Sequence, residues 1–203
     1  MKRLILTFAL MAMTVASCCN APDTAQSARD AVLENIAARK SVRSYTSEPV
    51  SDADVETLLR AAMAAPSARN LQPWEFIVLN DRDTLDALAA KLRHAKMLQG
   101  APLAIVVCAE TTMTNREGEV VENIFWEQDA SAATENLLLA AEALGLGAVW
   151  TSASDPERSA IIKEALGIKG TVKPLCVVPI GHPAGETAPK DKWKPEKIHW
   201  NRW

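Results

Sequence analysis

The chain has 203 residues, 48% hydrophobic and 23% charged, with a formal net charge of -3. That length predicts one domain able to bury a sizeable core, and so mild an acidity excludes a general attraction to nucleic acid or anionic lipid. Any basic cluster is therefore a local device.

The opening stretch, MKRLILTFALMAMTVASCCN, has a basic start at Lys2 and Arg3, an apolar run from Leu4 to Val15, and small residues before Cys18. This is the layout of a secretory signal, and the run is too short to cross a bilayer comfortably as a mature helix. VASC also resembles a bacterial lipobox. Residues 1–17 are thus expected to be a signal peptide, Cys18 the lipid attachment site, 18–29 a tether, and 30–203 the folded domain. The protein would then sit in the cell envelope, touching membrane only through its N-terminal anchor. An uncleaved leader and a cytoplasmic location are the alternative.

After the tether, DAVLENIAARK spaces Val32 and Ile36 as a helix does. SDADVETLLRAAMAAP predicts a second helix, with Ser51 and Asp54 at its cap and Val55, Leu58, Leu59, Ala62 and Met63 along one face, ending before Pro66. WEFIVLN reads as a strand and DRDTLDALAAKLRHA as a capped helix with Leu85, Leu88 and Leu92 on one side. PLAIVVCAE is short and wholly apolar, as expected of a strand buried on both faces. EQDASAATENLLLAAEALGLG is apolar or small most of the way round until Gly145, so it belongs in a core or a subunit interface. AVWTSA follows as a strand, DPERSAIIKEALG as a helix from Asp155 to Gly167, and VKPLCVVPIGHP as a buried strand. The tail, KDKWKPEKIHWNRW, holds three of the six tryptophans. The order of elements predicts α/β or α+β, with one mixed sheet between helical layers. Cys108 and Cys176 lie in apolar strands, which predicts buried free thiols rather than a disulfide framework.

The histidines, His94, His182 and His199, have no partners at metal-ligand spacing, so no metal site is expected. There is no nucleophile elbow, and GLG at 145–147 is too short for a dinucleotide fingerprint. Hard chemistry would have to come from a cofactor. Two polar clusters stand out. In ARKSVRSY, an extended backbone would project Arg39, Ser41 and Arg43 to one side, converging on a spot suited to a phosphate monoester. A helical one would turn Ser41 away and leave a solvated basic face. In PSARNLQPW, Pro66 and Pro73 fix a backbone from which the amides of Asn70 and Gln72 could meet a flat heterocycle. The plain alternative there is a turn segment.

RKSVRSY, AAPSARNLQPWEFIVL, NLLLAAEALGLGAVWTS, PIGHPAGE and the closing KDKW and IHWNRW occur in order across nearly the whole chain from residue 30. Together they resemble the nitroreductase family of FMN-dependent oxidoreductases. The resemblance implies an α+β, three-layer α/β/α fold with one mixed, largely antiparallel sheet, in an intertwined homodimer whose site lies across the interface. It implies that Arg39, Lys40, Ser41 and Arg43 hold the FMN phosphate and ribityl end, with Pro66, Ser67, Asn70 and Gln72 near the ribityl and pyrimidine edge. Trp150, Thr151 and Ser152 would meet the flavin N5 and O4 edge through backbone groups. Many relatives carry glycine where this chain has Ser152, so the N5 donor stays unassigned. Lys190 and Lys192 occupy the place of a basic pair over the phosphate, with lysine where arginine is common. The implied activity is ping-pong hydride transfer through the flavin, with NAD(P)H as donor and a nitroaromatic, quinone or related small molecule as acceptor. A dehalogenase-like or flavin-consuming relative is an alternative, as is an exported lipoprotein binding module that has lost catalysis. Export would separate the enzyme from cytoplasmic NAD(P)H, so the donor is left open.

Overall fold

The computed structural model describes residues 24–203. The expected signal peptide, Cys18 and the first part of the tether lie outside the described residues. Helix α1 spans Thr24–Ala38. The second part of the expected tether, from residue 24 to 29, is therefore helical: TAQSARD contains no glycine or proline, and Gln26 donates to the Asp30 carboxylate one turn on.

Three of the later helices, starting at Asp52, Arg82 and Pro156, each begin where a side chain supplies a cap. In α2 (Asp52–Met63), the Asp54 N–H donates to Ser51 Oγ, and Asp52 and Asp54 face the positive end of the helix. In α3 (Arg82–Lys91), Thr84 donates its N–H and its hydroxyl to the Asp81 carboxylate. These bonds hold the Asp81 carboxyl below its usual range. Helix α4 runs Trp126–Ala143, and α5 (Pro156–Leu166) follows an Asp155 cap and ends at Gly167 in the left-handed region, as its sequence predicts. Met63, expected on the inner face of α2, is instead 52% exposed at its last turn.

Strands β1 (Trp74–Leu79), β2 (Leu103–Glu110), β5 (Gly147–Ala148), β6 (Thr151–Ser152) and β7 (Val172–Gly181) form one sheet. Every pairing between these strands is antiparallel, and an isolated parallel bridge joins Ser41 to Ala148. A short hairpin, β3 (Thr112–Thr114) and β4 (Val120–Glu122), stands apart. The expected single strand at AVWTSA is divided. Pro179 has no N–H to give opposite Val149, so the ladder lapses after Ala148↔Ile180 and resumes at Thr151↔Val177.

Burial on both faces of β2 shows the layering. Leu103, Ile105, Val107 and Ala109 pack into a core with α2 and α4, while Ala104, Val106 and Cys108 pack into another with α3 and α5. Helices therefore cover both sides of the sheet, the three-layer arrangement expected. Fully burying a side chain such as Ile105 or Leu137 contributes about 1.5–3 kcal/mol. Helix α4 places Ala130, Ala133, Leu137, Leu138 and Ala141 in the core. Cys108 and Cys176 are free and buried, and burial pushes both thiols up to about 12. Among the described residues no helix is long and apolar enough to cross a membrane.

Candidate functional site

The basic bend begins where α1 ends. Arg39 still belongs to the helix end, its N–H donating to Asn35 O at 3.1 Å, and the chain becomes extended from Ser41. The Val42 N–H donates to Ala148 O at 3.0 Å, and the Val42 side chain is buried while Ser41 and Arg43 face out. The extended alternation thus holds for residues 41 to 43, with Arg39 reaching the same side from the last helical turn. Gly147 makes this seat possible. A Cβ there would fall 2.6 Å from Val42 Cγ1, inside any tolerable contact. Tyr45 locks the far end of the bend through its hydroxyl, which donates to Val42 O at 2.6 Å and lies 3.2 Å from Pro179 O.

Arg39, Lys40, Ser41 and Arg43 share a pocket of about 180 Å³ with Ala188, Lys190 and Lys192. The two ends of the folded domain therefore meet at one basic concavity. Two of its cations are already engaged. Arg39 Nε lies 3.0 Å from Glu135 Oε1, and Lys40 Nζ lies 2.7 Å from Glu142 Oε1, both carboxylates being on α4. Arg43, Lys190 and Lys192 make no ion pair among the described residues. Three unneutralised cations and the Ser41 hydroxyl form a donor set that fits a terminal phosphate dianion.

The second cluster is held by different means. Arg69, Asn70 and Gln72 have φ of 55°, 54° and 51°, a left-handed backbone that costs a non-glycine residue roughly 1–2 kcal/mol. Side chains sustain it. The Gln72 N–H donates to Ser67 Oγ at 2.9 Å, Gln72 Nε2 donates to Asn70 Oδ1 at 3.0 Å, and the Ala68 N–H donates to Asp129 Oδ1 at 2.8 Å. Asp129 is buried in the first turn of α4, and its Oδ2 has no hydrogen-bond partner among the described residues. Pro66, Asn70 and Gln72 are exposed and Ser67 is half-buried. None of them lines the basic pocket of the same chain.

Trp150, Thr151 and Ser152 follow the strand on which Ser41 bridges. Thr151 is buried, its hydroxyl donating to Val177 O at 2.6 Å, whereas Ser152 is exposed and its carbonyl accepts from Arg158 Nη1 at 3.2 Å. These residues also lie outside the basic pocket. Beyond Lys192 the tail leaves Trp193 72%, Trp200 84% and Trp203 fully exposed. A groove between α1, α2 and α4, lined by Val32, Ile36, Ala61, Leu139 and Ala140 among others, is likewise open and apolar.

A sequence profile of the nitroreductase family matches residues 36–95 and 87–182. The chain belongs to the nitroreductase family. It is 41% identical over 175 residues to an Archaeoglobus fulgidus protein provisionally named NADH dehydrogenase/NAD(P)H nitroreductase, covering 84% of this chain and 98% of that one. The solved FMN-dependent nitroreductase of Clostridium difficile R20291 is 30% identical, with a TM-score of 0.74 over 84% of this chain and 99% of its own. A provisionally named nitroreductase of Desulfovibrio desulfuricans, solved in complex with FMN, is 34% identical with a TM-score of 0.71, covering 85% and 97%.

Within this nitroreductase fold, three features escaped sequence reasoning. Gly147 is legible as a strand or turn glycine, but its contact with Val42 joins residues distant in sequence. Asp129 reads as an acidic residue near a helix start, and nothing local assigns it to the loop 61 residues earlier. Glu135 and Glu142 sit about two turns apart on one face of α4, and only the fold reveals that they restrain Arg39 and Lys40.

Proposed function

We propose that this nitroreductase-family chain is an FMN-dependent oxidoreductase that passes hydride from a nicotinamide or another reductant to a nitroaromatic, quinone or related conjugated acceptor. The observation that carries the reading is the basic pocket, where Ser41, Arg43, Lys190 and Lys192 offer charge and donors suited to one terminal phosphate. The FMN named for the relatives from Clostridium difficile and Desulfovibrio desulfuricans supports the same cofactor.

In this reading FMN, when bound, supplies the hydride-accepting centre, and the protein supplies binding, orientation and a dry, charged surround. Arg43, Lys190 and Lys192 neutralise the phosphate. Ion pairing to α4 fixes Arg39 and Lys40, so the pocket is formed before the ligand arrives, which lowers the ordering cost of binding. Asn70 and Gln72 present amides for the ribityl and pyrimidine edge, their loop positioned through Asp129. Trp150, Thr151 and Ser152 would hold the N5 and O4 edge. Asn70, Gln72 and residues 150–152 lie outside the basic pocket of their own chain, and a homodimer that assembles the site across its interface would reconcile their separation. The exposed tryptophans of the tail and the open groove over α1, α2 and α4 supply apolar surface for that interface.

The test is colour and its loss. Purified protein incubated with FMN and desalted should stay yellow, then bleach under anaerobic NADH or NADPH and recover on addition of a quinone. Protein that desalts colourless would refute the cofactor. Protein that holds FMN but passes no electrons to any acceptor would favour a binding module that has lost catalysis. For location, we propose export and anchoring through Cys18, with a membrane quinol or reduced flavin as the alternative donor. Palmitate labelling of the wild type in the membrane fraction, lost in Cys18→Ala, would support it. Unlabelled cytosolic wild type would contradict it.

A further inference from the structure

The hairpin of β3 and β4 leans over the strained loop, and a pocket of about 650 Å³ opens between them, lined by Arg69, Thr114, Asn115, Arg116 and Glu117. We propose that this pocket is a second-substrate subsite in which Arg69 and Arg116 receive the anionic group, carboxylate or phosphate, of the molecule that exchanges electrons with the flavin. The proposal rests on the flavin reading above, because it takes its place from Asn70, the neighbour of Arg69 assigned to the flavin edge.

Four observations support it. Neither guanidinium makes an ion pair among the described residues, although five other cationic side chains of lysine or arginine do. Arg69 holds a left-handed backbone at φ 55° and ψ 19°, a conformation that persists only where the surroundings impose it and that concentrates at ligand sites. Its Nη1 lies 3.9 Å from Met113 Sδ, which draws the guanidinium against β3 and toward the hairpin. Arg116, finally, is displayed on a rigid turn. The Asn115 N–H donates to Glu119 O at 2.9 Å, the Gly118 N–H donates to Asn115 O at 3.2 Å, and Gly118 takes φ 84°. Asn115 Oδ1 accepts the Glu117 and Glu119 N–H groups, while its Nδ2 donates to the Glu119 carboxylate at 3.0 Å. Glu119 is not on the lining, where Glu117 is the one carboxylate against two arginines. Two cations set on different elements, facing one cavity, select an anion through charge and geometry rather than through apolar fit.

The anion could belong to the electron acceptor or to a phosphorylated nicotinamide donor, and matched pairs of ligands separate the sources. Dissociation constants of the FMN-loaded protein are measured for 4-nitrobenzoate against 4-nitrobenzamide, and for NADPH against NADH, together with KM and kcat. In one of the two pairs the wild type should prefer the charged member. Arg69→Ala and Arg116→Ala should each lower that preference about tenfold, the loss of one charge-assisted hydrogen bond. Arg69→Lys and Arg116→Lys, which retain charge and guard against a folding artefact, should restore most of it. The preference should also shrink as salt rises, since the screening length falls from about 30 Å at 0.01 M to about 3 Å at 1 M. Loss confined to the nitroaromatic pair assigns the subsite to the acceptor, and loss confined to the nicotinamide pair assigns it to the donor. FMN-loaded variants that bind charged and neutral members of both pairs as the wild type does would overturn the subsite and leave the flavin reading intact. Protein that takes up no FMN would overturn both.

Discussion

The bend at residues 39–43 and the loop at 66–72 both follow a helix and both turn polar side chains outward, yet they are held in opposite ways. The bend is seated on the sheet: Val42 is buried, its N–H is bonded to Ala148, and Tyr45 closes it from beneath. Its charged side chains can change without moving its backbone. The loop carries three non-glycine residues at positive φ and relies on side-chain acceptors from Ser67 and Asp129. Its shape is therefore coupled to the same polar groups that would meet a ligand. The candidate site so divides into a pocket preformed by packing and a loop shaped by hydrogen bonds.

Substitutions in the two regions should separate ligand effects from structural ones. The largest effect is expected at Arg43→Ala, which should weaken FMN binding on the order of tenfold to several hundredfold with little change in melting temperature. Equal losses of affinity and stability would show that the side chain supports the bend itself. Next comes Gly147→Ala, whose new Cβ would press on Val42 and should cost roughly 1–3 kcal/mol. The double variant with Val42→Ala should recover part of that loss in denaturant unfolding, and no recovery would deny the contact its role.

Asp129→Ala should be smaller, roughly 1–2 kcal/mol. It removes a charge-assisted bond to the Ala68 N–H but also a buried oxygen without a partner, and the two effects oppose. Unlike Arg43→Ala, it should lower stability and FMN affinity together. The smallest effect is expected at Gln72→Gly. Glycine accepts positive φ freely, a relief of roughly 0.5–1 kcal/mol once its greater chain entropy is offset, but the change also removes the Gln72 Nε2 bond to Asn70 Oδ1, so stability should stay nearly constant while FMN binding weakens. A loss of more than about 2 kcal/mol in denaturant unfolding would mean that the Gln72 side chain, and not its backbone, governs the loop.

Much of this fold was legible because its signals are local. Ser51, Asp81 and Asp155 announce helix starts through bonds spanning three residues, and the unbroken apolar run of β2 announces burial on two faces. The basic bend was legible as two alternatives, and choosing between them required knowing that Ala148 would lie beside Ser41. The break between β5 and β6 was not legible, since it depends on which residue of β7 stands opposite, and that residue is a proline. Lys190 and Lys192 joined the site only through family resemblance. No local rule brings the end of a chain back to Arg43, but in the folded protein they line one pocket. Asp129 stayed hidden for the same reason, its partner lying on another element.

The central claim is that residues from both ends of the domain build a pocket for a terminal phosphate. Comparing the affinities of the purified protein for FMN and for riboflavin tests it most directly, because the two ligands share a ring and a ribityl chain and differ in that phosphate. FMN should bind at least about a hundredfold tighter than riboflavin, and most of that margin should vanish when Arg43, Lys190 and Lys192 are replaced together by alanine. Equal affinity for the two flavins, or a margin untouched by the triple replacement, would contradict the account.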